Sequence, residues 1–212
     1  NIGYLSLENI SIQSANVETI TTRAVDTDLY VEISGNGSTT TYEPENTPSK
    51  IELKADNYTL KAYNAAYKAK DTLSSAHKGE AIYYIDSQSF TIEEGKVNYL
   101  SVEVPMTNIG VRLALPEGFS NWFNTYSFNV SAGNRSVSIT NGETVYFPAG
   151  EITYTLSATN NDKEKFQLEG SSSKWVNEEN EQIIITPGTI YVITYDYETQ
   201  SLQLSNALTQ QP

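Results

Sequence analysis

The chain reads as an all-β protein of two tandem β-sandwich domains related by an internal repeat. Three observations predict this. The second half repeats the first: Asn57-Tyr58-Thr59-Leu60-Lys61-Ala62 has a counterpart in Thr153-Tyr154-Thr155-Leu156-Ser157-Ala158, and residues 90–104 match 183–197, in the same order. Leu29-Tyr30-Val31-Glu32-Ile33 likewise matches Tyr126-Ser127-Phe128-Asn129-Val130, which makes a repeat of roughly 90 residues. Tyr, Thr, Ser, Val and Ile are abundant beside a single Met, a mix that favours strands. Apolar residues recur with period 2 between turn residues, giving about seven short strands per half, as a sandwich requires.

The elements follow in order. Leu5 and Leu7 share one face, whereas Ile10 and Ile12 fall on the other parity. A bulge at Glu8-Asn9 reconciles the two phases. Residues 13–27 form a polar linker, so 1–27 reads as an N-terminal strand plus linker belonging to the first sandwich. Leu29, Val31 and Ile33 alternate, and Gly35-Asn36-Gly37 turns the chain. Pro44 and Pro48 mark a loop; Ile51 and Leu53, then Tyr58, Leu60 and Ala62, are two strands around the turn Asp56-Asn57. Residues 64–80 read as an irregular loop, with the makings of one helical turn at Ala65 to Lys70. Phe90 and Ile92 lead through Glu94-Gly95 to residues 97–104, where Asn98, Leu100, Val102 and Val104 face the core. Val111, Leu113 and Leu115 close the first sandwich, 28–116, and Pro116-Glu117-Gly118 marks its boundary. The second sandwich, 117–212, takes strands at Phe128, Val137, Val145, Tyr154, Phe166, 183–185, 190–197 and 202–204.

Composition excludes several classes of function. The 212 residues carry a net charge of −13. Residues 1–116 hold 9 basic and 15 acidic groups, and 117–212 hold 4 and 11. An acidic surface without a basic stripe repels nucleic-acid backbones and anionic lipid headgroups. With no cysteine there are no disulfides, no thiolate zinc and no thiol nucleophile. No stretch approaches the ~20 apolar residues of a membrane helix.

Catalytic residues are not found. The single histidine, His77, lies in a polar loop and lacks the oriented carboxylate and hydroxyl of a triad. Glu93-Glu94 and Glu178-Glu179 with Glu181 sit beside turns, where solvated carboxylates are expected rather than a hydrolytic pair. The chain therefore reads as no enzyme, with no cofactor and no dedicated metal site. Calcium is the one ion the acidic loops could take, at Asp26 and Asp28, at Asn160 to Glu164 or at Asn177 to Glu181. Of the two tryptophans, Trp122 lies among Phe119, Phe123 and the domain boundary and reads as an interdomain wedge. Trp175 follows Ser171-Ser172-Ser173-Lys174 and is the candidate ligand platform. The fifteen tyrosines read as cross-strand partners.

Several segments together resemble the fimbrillin-like and cell-adhesion surface lipoproteins of Bacteroides and relatives. They are Gly3-Tyr4-Leu5-Ser6-Leu7, Thr22-Arg23-Ala24, Leu29-Tyr30-Val31-Glu32-Ile33, residues 51–62, Phe90-Thr91-Ile92-Glu93-Glu94-Gly95, and Val104 with Asn108-Ile109-Gly110-Val111. The resemblance implies transthyretin-like (Ig-like) sandwiches. It further implies export to the cell surface, with anchoring in the outer membrane by a lipid upstream of Asn1. The implied role is that of a pilus (fimbrial) subunit or tip, or an adhesin. Its implied partners are other pilus-like subunits or a host or bacterial surface ligand, including glycan. In polymerising relatives a protease cuts after a linker arginine, which falls at Arg23, before Ala24. The first strand then leaves a groove for a strand of the next subunit. The donor is either 202–208 of another copy, or those residues are simply the last strand of the second sandwich. Asp71-Thr72-Leu73 resembles an O-glycosylation acceptor of these bacteria. The alternative function is a glycan-binding surface module beside a polysaccharide-uptake system.

Overall fold

Alternating apolar residues bury one face of each strand, and two such faces close on one another to form each sandwich. A computed structural model describes residues 1–12, 28–69 and 77–205. Arg23, Ala24, Asp26, Asp71, Thr72 and residues 206–208 lie outside the described residues. The described chain forms two units: 1–12, 28–69 and 82–107 in the first, 77–81 and 108–205 in the second.

In the first unit, β1 (Ile2–Ile12), β4 (Lys50–Lys54) and β7 (Val97–Val104) form one sheet in the order β4-β1-β7. The opposing sheet has the order β3-β2-β5-β6, built from β2 (Tyr30–Gly35), β3 (Ser38–Tyr42), β5 (Asp56–Tyr63) and β6 (Tyr84–Ile92). Leu5, Ile10, Ile51, Val102 and Val104 from the first sheet meet Val31, Ile33, Leu60 and Ile92 from the second in one buried cluster. The expected core set of β7 is borne out, with Val102 and Val104 buried and Asn98 and Leu100 half-buried. A single helical turn, α1 (Ala65–Lys68), follows β5, where the sequence reading had an irregular loop. Asn64 caps it, its Oδ1 accepting from the backbone N–H of Tyr67 at 3.2 Å.

The second unit repeats the plan. One sheet has the order β11-β8-β14-β15, from β8 (Ile109–Leu113), β11 (Thr144–Phe147), β14 (Ile190–Asp196) and β15 (Ser201–Leu204). The other is β10-β9-β12-β13, from β9 (Phe123–Ala132), β10 (Arg135–Ile139), β12 (Thr153–Asn160) and β13 (Lys165–Ser171). The short helix α2 (Phe119–Trp122) precedes β9. β8 stands where β1 stands in the first unit: antiparallel to one neighbour, parallel to the other. Among the described residues, β15 has no counterpart in the first unit.

Two expectations are corrected. Val111 and Leu113 do not close the first sandwich; they lie in β8, central in the second unit's sheet. The parallel pairing of Gly110 to Leu113 with Ile190 to Ile193 holds them there, and both Val111 and Leu113 are fully buried. Residues 183–185 are not a strand, and Ile184 is 78% exposed. The counterpart of β6 is β13, which occupies the matching edge of its sheet. Residues 202–204 lie in β15, the last described strand of the second unit.

The segment 77–80 covers the outer edge of β11. Tyr146 N–H donates to Lys78 O at 2.7 Å, Arg135 donates through Nη2 to His77 O at 2.7 Å, and Lys78 pairs with Glu143. The Lys78 ammonium, followed by the Thr140 backbone N–H, holds the Glu143 carboxyl down at about 2. A carboxylate held below its ordinary value stabilises the fold above that ordinary value, near 4.5, and the contribution fades as pH falls from there toward 2. NMR titration is expected to find Glu143 titrating at about 2. In Lys78→Ala its midpoint should rise toward 4.5; an unchanged midpoint would contradict the pairing.

Candidate strand slot and surface sites

β1 is the strand on which assembly by strand exchange would turn. Its residues 2–6 pair antiparallel with β4, and residues 4–12 pair parallel with β7. The register shifts between Leu7 and Asn9, the bulge that the change of phase predicted. The shift lets Leu5 (0% exposed) and Ile10 (5%) both enter the core although their positions differ in parity. Tyr4 donates its backbone N–H to Lys96 O at 2.9 Å and receives the Asn98 side-chain amide at its carbonyl at 3.3 Å. On the outer face the Lys50 ammonium sits 4.1 Å from the centre of the Tyr4 ring.

Gly3 sets how closely β1 enters. A Cβ there would lie 2.2 Å from the Glu93 carbonyl oxygen and 2.8 Å from Ile92 Cγ2. Because the first of these is backbone, it cannot swing away. Gly3→Ala is expected to destabilise the first unit by about 1–3 kcal/mol in denaturant unfolding. An unchanged midpoint would mean that the start of β1 is not seated.

Trp175 is not a ligand platform. It is 6% exposed, and its indole N–H donates to the Tyr154 hydroxyl at 2.9 Å. Its ring packs against Tyr154 and Tyr191, with centroids 6.2 Å and 5.1 Å away. The serines before it form a single 3₁₀ turn, Ser172–Lys174, which tucks the ring under the sheet. Trp122 is corrected in the opposite sense. Its side chain is 65% exposed, while its neighbour Phe119 fills the core against Phe123, Tyr126 and Tyr195.

Among the described residues, no group of three or more His, Cys, Asp or Glu converges. Asn160 and Glu164 bond each other across a turn, and Asn177 Oδ1 accepts from the N–H groups of Glu179 and Glu181. His77 is exposed in its loop. Among the described residues, no helix is long and apolar enough to cross a membrane.

The sequence reading did not single out a ladder of tyrosines. Tyr30, Tyr63 and Tyr84 are directly opposed across β2, β5 and β6, and Tyr67 stacks on Tyr84 at 4.1 Å. Tyr63 is buried and bonds Glu32 at 2.8 Å; burial first, and then that carboxylate, push its phenol up to about 12. The rings spend their faces on one another (Tyr30 and Tyr63 are 9° from parallel), which leaves little flat surface for a ligand. The signal was the spacing Tyr30, Tyr63, Tyr84, legible only once the registers are known.

A family model described as "Domain of unknown function (DUF4493)" matches residues 1–207. The chain belongs to the DUF4493 family. The DUF4493 chain is similar in structure to a fimbrilin (FimA) from Porphyromonas gingivalis W83, at 9% identity over 94% of this chain and 95% of that one, with a TM-score of 0.50. It is also similar to the tip fimbrial protein Mfa3 from Porphyromonas gingivalis, at 10% identity over 97% and 99%, with a TM-score of 0.49. A search of curated proteins finds no match for it. At 9% identity the likeness to the fimbrilin shows the fold alone, and the pair of tandem β-sandwiches expected from the sequence is borne out.

Proposed function

We propose that this DUF4493 protein is a cell-surface adhesion protein or fimbrial subunit, non-enzymatic, whose first unit accepts a strand from another subunit once β1 leaves. The observation that carries this reading is the position of β1. It is a central strand that pairs on both sides and buries Leu5 and Ile10 in the core, yet only one linker, 13–27, ties it to the strands that follow. Removing a central strand exposes two rows of unpaired backbone groups and the pockets of its buried side chains, which a donated strand can refill. In this reading Arg23, followed by Ala24, is the processing site. Export, a lipid anchor in the outer membrane and partners among other pilus-like subunits or surface ligands belong to the same proposal, with no cofactor required.

The glycan-uptake alternative rested on an exposed Trp175, and that ring is buried.

The chain has three arginines, and Arg112 and Arg135 lie within β8 and β10. Limited digestion with an arginine-specific protease, followed by sizing, tests the reading. A single cut after Arg23 with higher oligomers is the expected result. Resistance at Arg23, or a cut chain that stays monomeric, would contradict it.

A further inference from the structure

The solvent face of the β10-β9-β12-β13 sheet differs from the rest of this acidic chain. At the start of β9, where the register shifts opposite Asn160, Phe123 packs on the core; from Thr125 onward, and in β12 and β13, even-numbered residues turn inward, as the burial of Phe128, Val130, Tyr154 and Leu156 requires. The odd-numbered ones turn outward. Register aligns them in rows: Thr125, Thr159 and Lys165 in one, Ser127, Ser157 and Gln167 in the next. These rows line a shallow groove of about 530 Å³ whose only charged side chain is Lys165. Among the described residues, the hydroxyls of Thr125, Ser127, Ser157 and Thr159 enter no side-chain hydrogen bond, whereas Asn129 and Ser131, farther along β9, each bond Ser136 of β10. Four hydroxyls are left to solvent or a ligand.

An exposed aromatic residue, Trp122, lies three residues before Thr125 in the chain. Trp122 immediately precedes β9, and its carbonyl accepts from Asn161 N–H at 3.2 Å, just past the end of β12. Asn161 also donates through its side chain to Asn121 O at 2.7 Å, and the Asn124 amide donates to Asn160 O at 3.3 Å. The indole is thus anchored through its backbone while its ring stays in water.

We propose that this face of the second unit binds a neutral polysaccharide chain, with Trp122 stacking on a sugar ring and the Thr125–Thr159 and Ser127–Ser157 rows bonding its hydroxyls. A ligand chain of hydroxyls and ring C–H faces matches hydroxyl and amide partners beside one flat indole. A net charge of −13 disfavours an anionic polymer, and a single lysine in the groove does not offset it. The site is independent of the strand slot, which belongs to the first unit.

Affinity electrophoresis through gels containing xylan, mannan, starch or arabinogalactan tests this, with polygalacturonate as the acidic counterpart. At least one neutral polymer should retard the protein, and Trp122→Ala should weaken that retardation tenfold or more. Ser157→Val with Thr159→Val should weaken it as well, with circular dichroism unchanged. Retardation by none of the neutral polymers, equal retardation by polygalacturonate, or retardation indifferent to Trp122→Ala would overturn the proposal. If the valine variant misfolds, Trp122→Ala decides alone, because its exposed ring contributes little to the core.

Discussion

Leu5→Ala is expected to cost the first unit about 2–5 kcal/mol, whereas Ile2→Ala, three residues earlier on the same strand, should stay within about 0.5 kcal/mol. The difference follows from position. Leu5 is fully buried between the two sheets, and Ile2 is 47% exposed. Truncating Leu5 leaves a cavity lined by strands that its own strand holds in place. Collapse into the cavity would pull β1 away from β4, to which Leu5 pairs opposite Ile51, or from β7, where it stands opposite Asn98. Denaturant unfolding of both variants measures the effect. Equal losses at Leu5 and Ile2 would mean that β1 lies on the sandwich rather than within it.

The second large effect belongs to Trp175. Trp175→Ala should cost the second unit about 3–5 kcal/mol through the cavity. Trp175→Phe should cost about 1–3 kcal/mol, chiefly because the buried indole donor to Tyr154 is lost. Tyr154 is confined on its other side as well: a Cβ on Gly170 would lie 2.2 Å from its ring. The ring therefore has little room to find a new partner. Fluorescence gives an independent check, because Trp175 should be shielded from aqueous quenchers and Trp122 open to them. If Trp175→Ala left stability unchanged, the ring would be at the surface after all, and the glycan reading of the sequence would return.

Some of this was legible in the residues and some was not. The change of phase from Leu5-Leu7 to Ile10-Ile12 revealed the bulge, because a two-residue period admits no other way to bury both pairs. The alternation at 97–104 chose the core face correctly for the same reason. β8 was misassigned because the repeat was recognised from Leu29 onward, which omitted the first strand of each copy. Ile109, Val111 and Leu113 then fell to the unit they follow in sequence. Their true neighbours, Ile190 to Ile193, lie about eighty residues downstream, and parallel pairing at that distance leaves no local signal. The apolar run 183–185 imitated a strand. The tryptophans were exchanged in role because neighbours in sequence were read as neighbours in space. The polar serines before Trp175 sit on a turn that buries it, and the phenylalanines around Trp122 enter the core without it. The polar groove could not be seen before register aligned Thr125 with Thr159 and Ser127 with Ser157.

The claim on which the functional reading depends is that β1 can be replaced. Strand replacement measures this directly. The chain is cut in the 13–27 linker, and a fluorescent peptide of residues 1–12 is added in excess. The account predicts that the labelled peptide enters the first unit in one-to-one ratio as the original strand leaves, and that a Leu5→Asp peptide does not. A cut chain that takes up neither peptide, or takes up both equally, would contradict it.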